Sequence, residues 1–123
     1  MCLPQDINNH NWVVGFVQDF FPDVYMPVVF VNSEPFLLGT LAGYEYSVAY
    51  GVNDKNIVVG TCWDREEHKR AWYFSAGVVR DLNDRIDPSS GWILERAMEI
   101  NEKNFITGSG TYNGEPRRFI LIP

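Results

Sequence analysis

The side chains of this chain that could do acid–base or metal chemistry are scattered, and none forms a recognisable catalytic group. His10 and His68 each sit in a polar connection, without the fixed setting that a general base needs. Asp19, Asp23 and the Asp84/Asp87 pair offer carboxylates for two-acid glycoside cleavage, but their spacing fixes no distance between them. Cys2 and Cys62 stand 60 residues apart with no CxxC and no Cys/His cluster, the pattern of two idle thiols. There is no GxSxG elbow, phosphate-binding glycine loop or HExxH, and GSGTYNG at Gly108–Gly114 reads as a tight hairpin at Asn113 and Gly114. No catalytic residue, metal or cofactor is expected.

Two stretches suit binding better than catalysis. Phe16 to Pro27 reads as a long connection carrying Phe20, Phe21, Tyr25 and Met26, and aromatic residues on long loops are enriched at binding surfaces. The alternative is that they fold back over their own core. Asp64 to Arg70, DREEHKR, is a dense run of both charges. It fits a soluble hairpin tip, or a contact for a cation or basic peptide through Asp64, Glu66, Glu67 and His68. Trp63, Trp72, Tyr73 and Tyr112 read as core or rim of a sheet.

The elements that would position these residues come from an internal repeat. INNHNWVVG (Ile7–Gly15), VNDKNIVVG (Val52–Gly60) and INEKNFITG (Ile100–Gly108) share Ile or Val first, Asn second, Asn fifth and Gly ninth. Their closing glycines lie 45 and 48 residues apart. Ala49 and Ala97 each stand three residues ahead of a nonamer, and Phe30, Phe74 and Phe119 follow the three glycines. Each nonamer reads as a hairpin corner: the second-position Asn accepts a backbone hydrogen bond, the next two residues form a type I turn, and Asn11, Asn56 or Asn104 takes the positive φ that closes it. A calcium loop fits poorly, because His10, Lys55 and Lys103 fall among the would-be ligands.

Each unit therefore reads as four short strands, with the fourth at Glu34–Leu38 and at Gly77–Leu82; the third unit stops at Ile122 and Pro123 before its last strand. Trp92 to Glu102 has helix-forming composition, but its counterpart in the second unit is rich in Tyr and Val, so the repeat favours a strand. The fold expected is all-β and antiparallel: one repeat domain, 1–123, with units at about 1–45, 46–91 and 92–123. Those units are three repeated four-stranded β-propeller-like units, the last incomplete.

Bulk properties narrow the partners. The chain has 123 residues, 46% hydrophobic and 15% aromatic, which suits one packed domain. Its formal charge of −6 repels phosphate backbones and anionic lipid, so neither nucleic acid nor a membrane is an expected partner. The longest uncharged apolar run, Met26 to Val31, is far short of the roughly 20 residues that span a bilayer. With no basic and apolar leader after Met1, the chain as written reads as cytoplasmic, or as extracellular if it is part of a longer exported protein.

VNDKNIVVG, RAWYF (Arg70–Phe74), VVRDLN (Val78–Asn83), SGWILERAMEINEKNFITG (Ser90–Gly108) and RRFILIP (Arg117–Pro123) together resemble the bacterial HAF repeat. Its units run from an Ala through an Ile-Asn-Asp turn, a Val-Val-Gly strand and an aromatic strand to an Asp-Leu ending. The resemblance covers most of the chain and implies a β-propeller-like arrangement, often in an exported protein, with no stated activity. Three units are fewer than the roughly four to eight blades of a closed ring. An unfinished third unit ending in Phe119–Ile122 would leave an apolar edge, so a homodimer is expected. Two functions of different class follow: a non-enzymatic module binding a protein or small molecule, or a small carbohydrate-active hydrolase.

Overall fold

The computed structural model of the chain describes residues 2–20 and 23–123, except for the side chains of residues 20 and 23. It is all-β and antiparallel, in three sheets of four, four and three strands. The first sheet holds β1 (Cys2–Ile7), β2 (Val13–Phe20), β3 (Asp23–Val31) and β4 (Glu34–Leu37). The second holds β5 (Tyr46–Val52), β6 (Val58–Trp63), β7 (Lys69–Ser75) and β8 (Val78–Asp81), followed by a 3₁₀ turn at Leu82–Arg85. The third holds β9 (Trp92–Ile100), β10 (Ile106–Tyr112) and β11 (Glu115–Leu121). In every sheet sequential strands are neighbours, a plain meander.

The sheets stack in chain order. β5 lies against β1, β2 and β3, and β9 lies against β5, β6 and β7, whereas the first and third sheets make no substantial contact among the described residues. The second sheet is thus buried on both faces, which explains why its central strand is a continuous buried run rather than an alternating one. Val58, Cys62 and Trp72 face the first sheet, with Val14, Val29, Ala49 and Val52. Val59, Ala71 and Tyr73 face the third, with Leu82, Leu94, Ala97, Ile106 and Phe119. Each of the Val, Leu, Ile and Phe side chains among these contributes about 1.5–3 kcal/mol by leaving water.

The three corners fold alike. Asn8, Asn53 and Asn101 each exchange backbone bonds across the turn, and Asn11, Asn56 and Asn104 sit at φ 61°, 61° and 63°. The Asn113–Gly114 hairpin has both residues at positive φ, 50° and 84°, as its two-residue loop requires.

The ninth-position glycine has a different cause from turn geometry. Gly15, Gly60 and Gly108 pair with Pro4, Ala49 and Ala97, and directly after each of those partners the register slips by one residue. This is a β-bulge, and it leaves Gln5, Tyr50 and Met98 without a cross-strand partner. The bulge turns the Leu3, Val48 or Arg96 carbonyl onto the glycine, where an added Cβ would collide with it. In the second sheet the bare glycine also makes room for the Trp72 ring.

Bulges also account for the helix-like look of Trp92–Glu102. β9 carries two, at Glu95 and Met98, so Leu94, Ala97 and Ile100 oppose Gly110, Gly108 and Ile106 on one face. An inward residue at every third position imitates helical periodicity within a strand.

Candidate functional site

The two ends of each sheet carry different chemistry. At the corner end the turns are linked from sheet to sheet. The Asn8 Nδ2 group donates to the Asn53 carbonyl at 2.9 Å and to the Asn56 Oδ1 at 2.8 Å. One sheet along, Asn53 Nδ2 donates to the Asn101 carbonyl at 3.1 Å and to Asn104 Oδ1 at 2.8 Å. The Oδ1 atoms of Asn8 and Asn53 meanwhile accept from amides of their own turns. Each asparagine therefore shapes its corner with one end and grips the next corner with the other.

A second rung runs alongside through the third nonamer position. The Asn9 amide and Nδ2 donate to Asp54 at 2.6 Å each, and the Asp54 amide donates to Glu102 at 2.9 Å. The Asn9 amide foremost holds the Asp54 carboxyl below its ordinary range; desolvation, the next influence, opposes it, and the Asn9 side chain and the nearby His10 add to the lowering. Asp6 adds a third link, accepting from the Val52 amide at 2.9 Å.

The ladder stops at both ends of the chain. Among the described residues, Asn101 Nδ2 and the Glu102 amide have no acceptor, and Asn11 Oδ1 has no donor, although these are the groups that bond at the internal junctions. Burial follows the same order: Asn8 and Asn53 are 8% and 1% exposed, while Asn101 is open to solvent.

The opposite, tip end holds most of the residues singled out from sequence. Phe16 to Pro27 is not a loop. It is a long hairpin of β2 and β3 paired from Val13↔Phe30 to Phe20↔Asp23, because its β-branched and aromatic residues extend the ladder. Phe21 and the Phe20 side chain lie outside the described residues. Tyr25 is half-buried and packs on Phe16, Tyr46 and Trp63, with ring centroids 6.4, 6.2 and 5.1 Å away. Tyr46 and Trp63 are themselves stacked at 5.6 Å. This cluster brings Tyr25 beside Asp64–Arg70 through Trp63, which directly precedes Asp64.

Asp64–His68 is a hairpin tip of the same form as the corners. The Asp64 carboxylate accepts from the Glu66 and His68 amides, and Glu67 sits at φ 65°. His68 Nδ1 lies 3.0 Å from Asp64 Oδ2 and 3.8 Å from Glu66, and the Asp64 hydrogen bond, then its charge, push the His68 pKa upward. Partial desolvation pushes the Asp64 carboxyl up, but the His68 and Glu66 amides and the His68 ring together bring it below its ordinary range. Glu66, Glu67 and His68 are exposed.

Beside the tip, a cleft of about 240 Å³ is lined by Tyr50, Thr61, Trp63, Glu67, Lys69 and Arg96. It adjoins two wider grooves over the third sheet, which share Arg96, Ser109 and Arg118. Each of these three hollows contains one carboxylate: Glu67, Glu95 and Glu99 respectively. Asp84 is exposed, and the Asp87 carboxylate is engaged by the Ser89 amide and hydroxyl.

The chain matches no family model, no curated protein and no solved structure.

The remaining sequence candidates divide by depth. Trp72 and Tyr73 are core, at 0% and 8% exposed, whereas Tyr112 is 42% exposed and packs on Trp92 at 5.2 Å. Cys62 is buried and its thiol is pushed up to about 12, by loss of solvent first and by the Asp81 charge second; Cys2 is exposed, and both are free. Among the described residues no three His, Cys, Asp or Glu side chains gather as a metal site would, and no helix is long and apolar enough to cross a membrane. Sequence reading missed the inter-sheet bonds of the asparagines. The available signal was that the second nonamer position is Asn every time and never Asp.

Proposed function

We propose that the chain is a non-enzymatic assembly and binding module: a three-unit sector of HAF-like, propeller-like repeats that joins a second copy head to tail. The observation that carries this reading is the open ladder. Asn101 Nδ2 and the Glu102 amide at one end are donors, Asn11 Oδ1 and the Asn8 carbonyl at the other are acceptors, and the same groups bond across both internal junctions. Asn9, in place of an acid at the third position, keeps an amide oxygen for the Glu102 amide of the next copy while its Nδ2 holds Asp54. Two chains would bring six units into one ring.

The sheet faces support the corner half of such a junction. By register, Thr107 and Ile120 of the third sheet occupy the places of Val59 and Tyr73 in the second. Opposite them would come the first sheet's free face, with Ile7 58% exposed beside Val13 and Phe30. The hydrolase reading has less support, since each hollow near the tips holds a single carboxylate.

Light scattering coupled to size exclusion tests the proposal. A mass of two chains is expected at low micromolar concentration. Asn101→Asp, which keeps the turn acceptor and removes the donor, and Asn11→Gly, which keeps the positive φ and removes the acceptor, should each yield monomer. A wild-type monomer, or dimers untouched by both changes, would overturn it.

A further inference from the structure

The third sheet lacks the strand that completes the other two, and the second sheet shows what that strand does. β8 pairs along β7 from Trp72↔Asp81 to Ser75↔Val78. Val79, opposite Phe74, packs into the core between the first and second sheets beside Trp12, Val31 and Leu38. At its far end Asp81, opposite Trp72, lies 3.8 Å from Arg70, two residues earlier in β7.

Register transfers each of these contacts to the third sheet. Gly60 pairs with Trp72 as Gly108 pairs with Phe119, so Phe74 corresponds to Leu121 and Arg70 to Arg117. Among the described residues, the outer edge of β11 has no strand beside it. Where the counterpart of Val79 would project there is a cleft of about 170 Å³, lined among others by Ile57, Tyr73, Leu82, Ile100, Ile106 and Leu121. Tyr73, Leu82 and Ile106 belong to the core between the second and third sheets and Ile100 and Leu121 border it, while Ser75, Arg85 and Asn104 supply the polar part of the lining. Arg117 stands at the surface, and among the described residues its guanidinium bonds only within its own strand, donating to the Glu115 carboxylate and to the Pro116 carbonyl at 2.8 Å each.

An unpaired edge, a mainly apolar socket and a cation at the matching register position form three parts of one strand-binding site. We infer that β11 receives an extended segment of a partner polypeptide by strand addition. That segment places a β-branched residue in the socket, opposite Leu121, and an acid two residues later, opposite Phe119 and within reach of Arg117. Main-chain pairing supplies the general attraction, and the socket and the cation supply register. The site deepens the assembly reading, on which it rests only in that the occupant is another chain. It uses an edge and a cleft, not the asparagine ladder.

The chain's own Gly77–Asp84 sequence, GVVRDLND, already fits the corresponding place in the second sheet, so a capped peptide of that sequence is the probe. Titrated into the ¹⁵N-labelled full chain, it should shift the amides of Phe119–Ile122 and of Ile100 and Ile106, with saturation. A peptide carrying Val79→Lys should bind about tenfold or more weakly, because a charge cannot enter the socket. Arg117→Asp in the exposed strand should weaken the original peptide, and a peptide with Asp81→Arg should recover the loss. If a second copy occupies the edge, the peptide should also convert dimer to monomer. Absence of both peptide binding and dissociation would overturn the strand site, as would binding indifferent to Val79→Lys and to the charge exchange. Peptide binding to a chain that is monomeric at all concentrations would leave the site standing and refute head-to-tail assembly instead.

Discussion

The most informative residue is the second-position asparagine, because a near-identical turn in the same molecule does without it. Asp64 builds its hairpin with the same two side-chain-to-amide bonds that Asn53 makes, so a carboxylate suffices for the turn. What Asp64 lacks is a donor, and no neighbouring sheet is bonded through it. Asn53→Asp should therefore preserve the corner yet place an unpaired, 1% exposed carboxylate against the Asn101 carbonyl. Chemical denaturation should show a loss of about 3–5 kcal/mol, the cost of a buried charge without a partner. Asp64→Asn should leave stability nearly unchanged. The same exposed pair gives a pH test. His68 is raised from an ordinary 6.5, so its contribution is complete below that pH and lost as pH rises through the new value. Asp64 is lowered from 3.8, so its contribution is complete above that pH and lost on acidification. Both are present together between 3.8 and 6.5. An NMR titration should give His68 a midpoint above 6.5, returning toward it in Asp64→Asn.

At the scale of elements, the corners were legible because turn chemistry is local: positive φ at three asparagines and at Asn113–Gly114 follows from residue type alone. Gly60 was visible as a constant but not as a bulge, since the carbonyl it accommodates belongs to Val48, a dozen residues upstream and across the sheet. Tyr25 was visible as an aromatic but not as a neighbour of Trp63, because their meeting depends on the β2–β3 hairpin being long enough to reach the second sheet. Gly60→Ala would force the Val48 carbonyl and the Trp72 ring apart. A cost of about 1–3 kcal/mol or more is expected from such overpacking, readable in the denaturation midpoint, whereas Gly77→Ala, with open space around it but φ 81°, tests backbone strain alone. Thiol labelling checks the central strand directly. Cys2 should react promptly with a disulfide reagent in the native state, and Cys62, 0% exposed with its thiol near 12, only on unfolding.

At the scale of the molecule, three sheets in a row make two junctions and leave two unlike faces, and the difference between those faces sets how strongly copies would join. In the first and second sheets the residue just before Val28 or Trp72, the counterparts of Phe119, is apolar and fully covered: Pro27 and Ala71 pack into the junctions. In the third sheet register puts Arg118 there, beside Ser109, facing outward and exposed. Among repeats stacked on one another, a polar outer face is how a terminal unit stays soluble. Arg118 thus opposes the very contact that the open ladder invites, and joining copies must strip water from its guanidinium or leave that half of the junction wet. Replacing it with the residue found at the internal junction should remove this penalty. Arg118→Ala is expected to tighten self-association by about tenfold, roughly 1.4 kcal/mol, measured by sedimentation equilibrium, with the monomer's own stability little altered because the side chain is exposed. An unchanged dissociation constant would mean that the third sheet's face does not meet another copy, and head-to-tail assembly would lose the surface it requires.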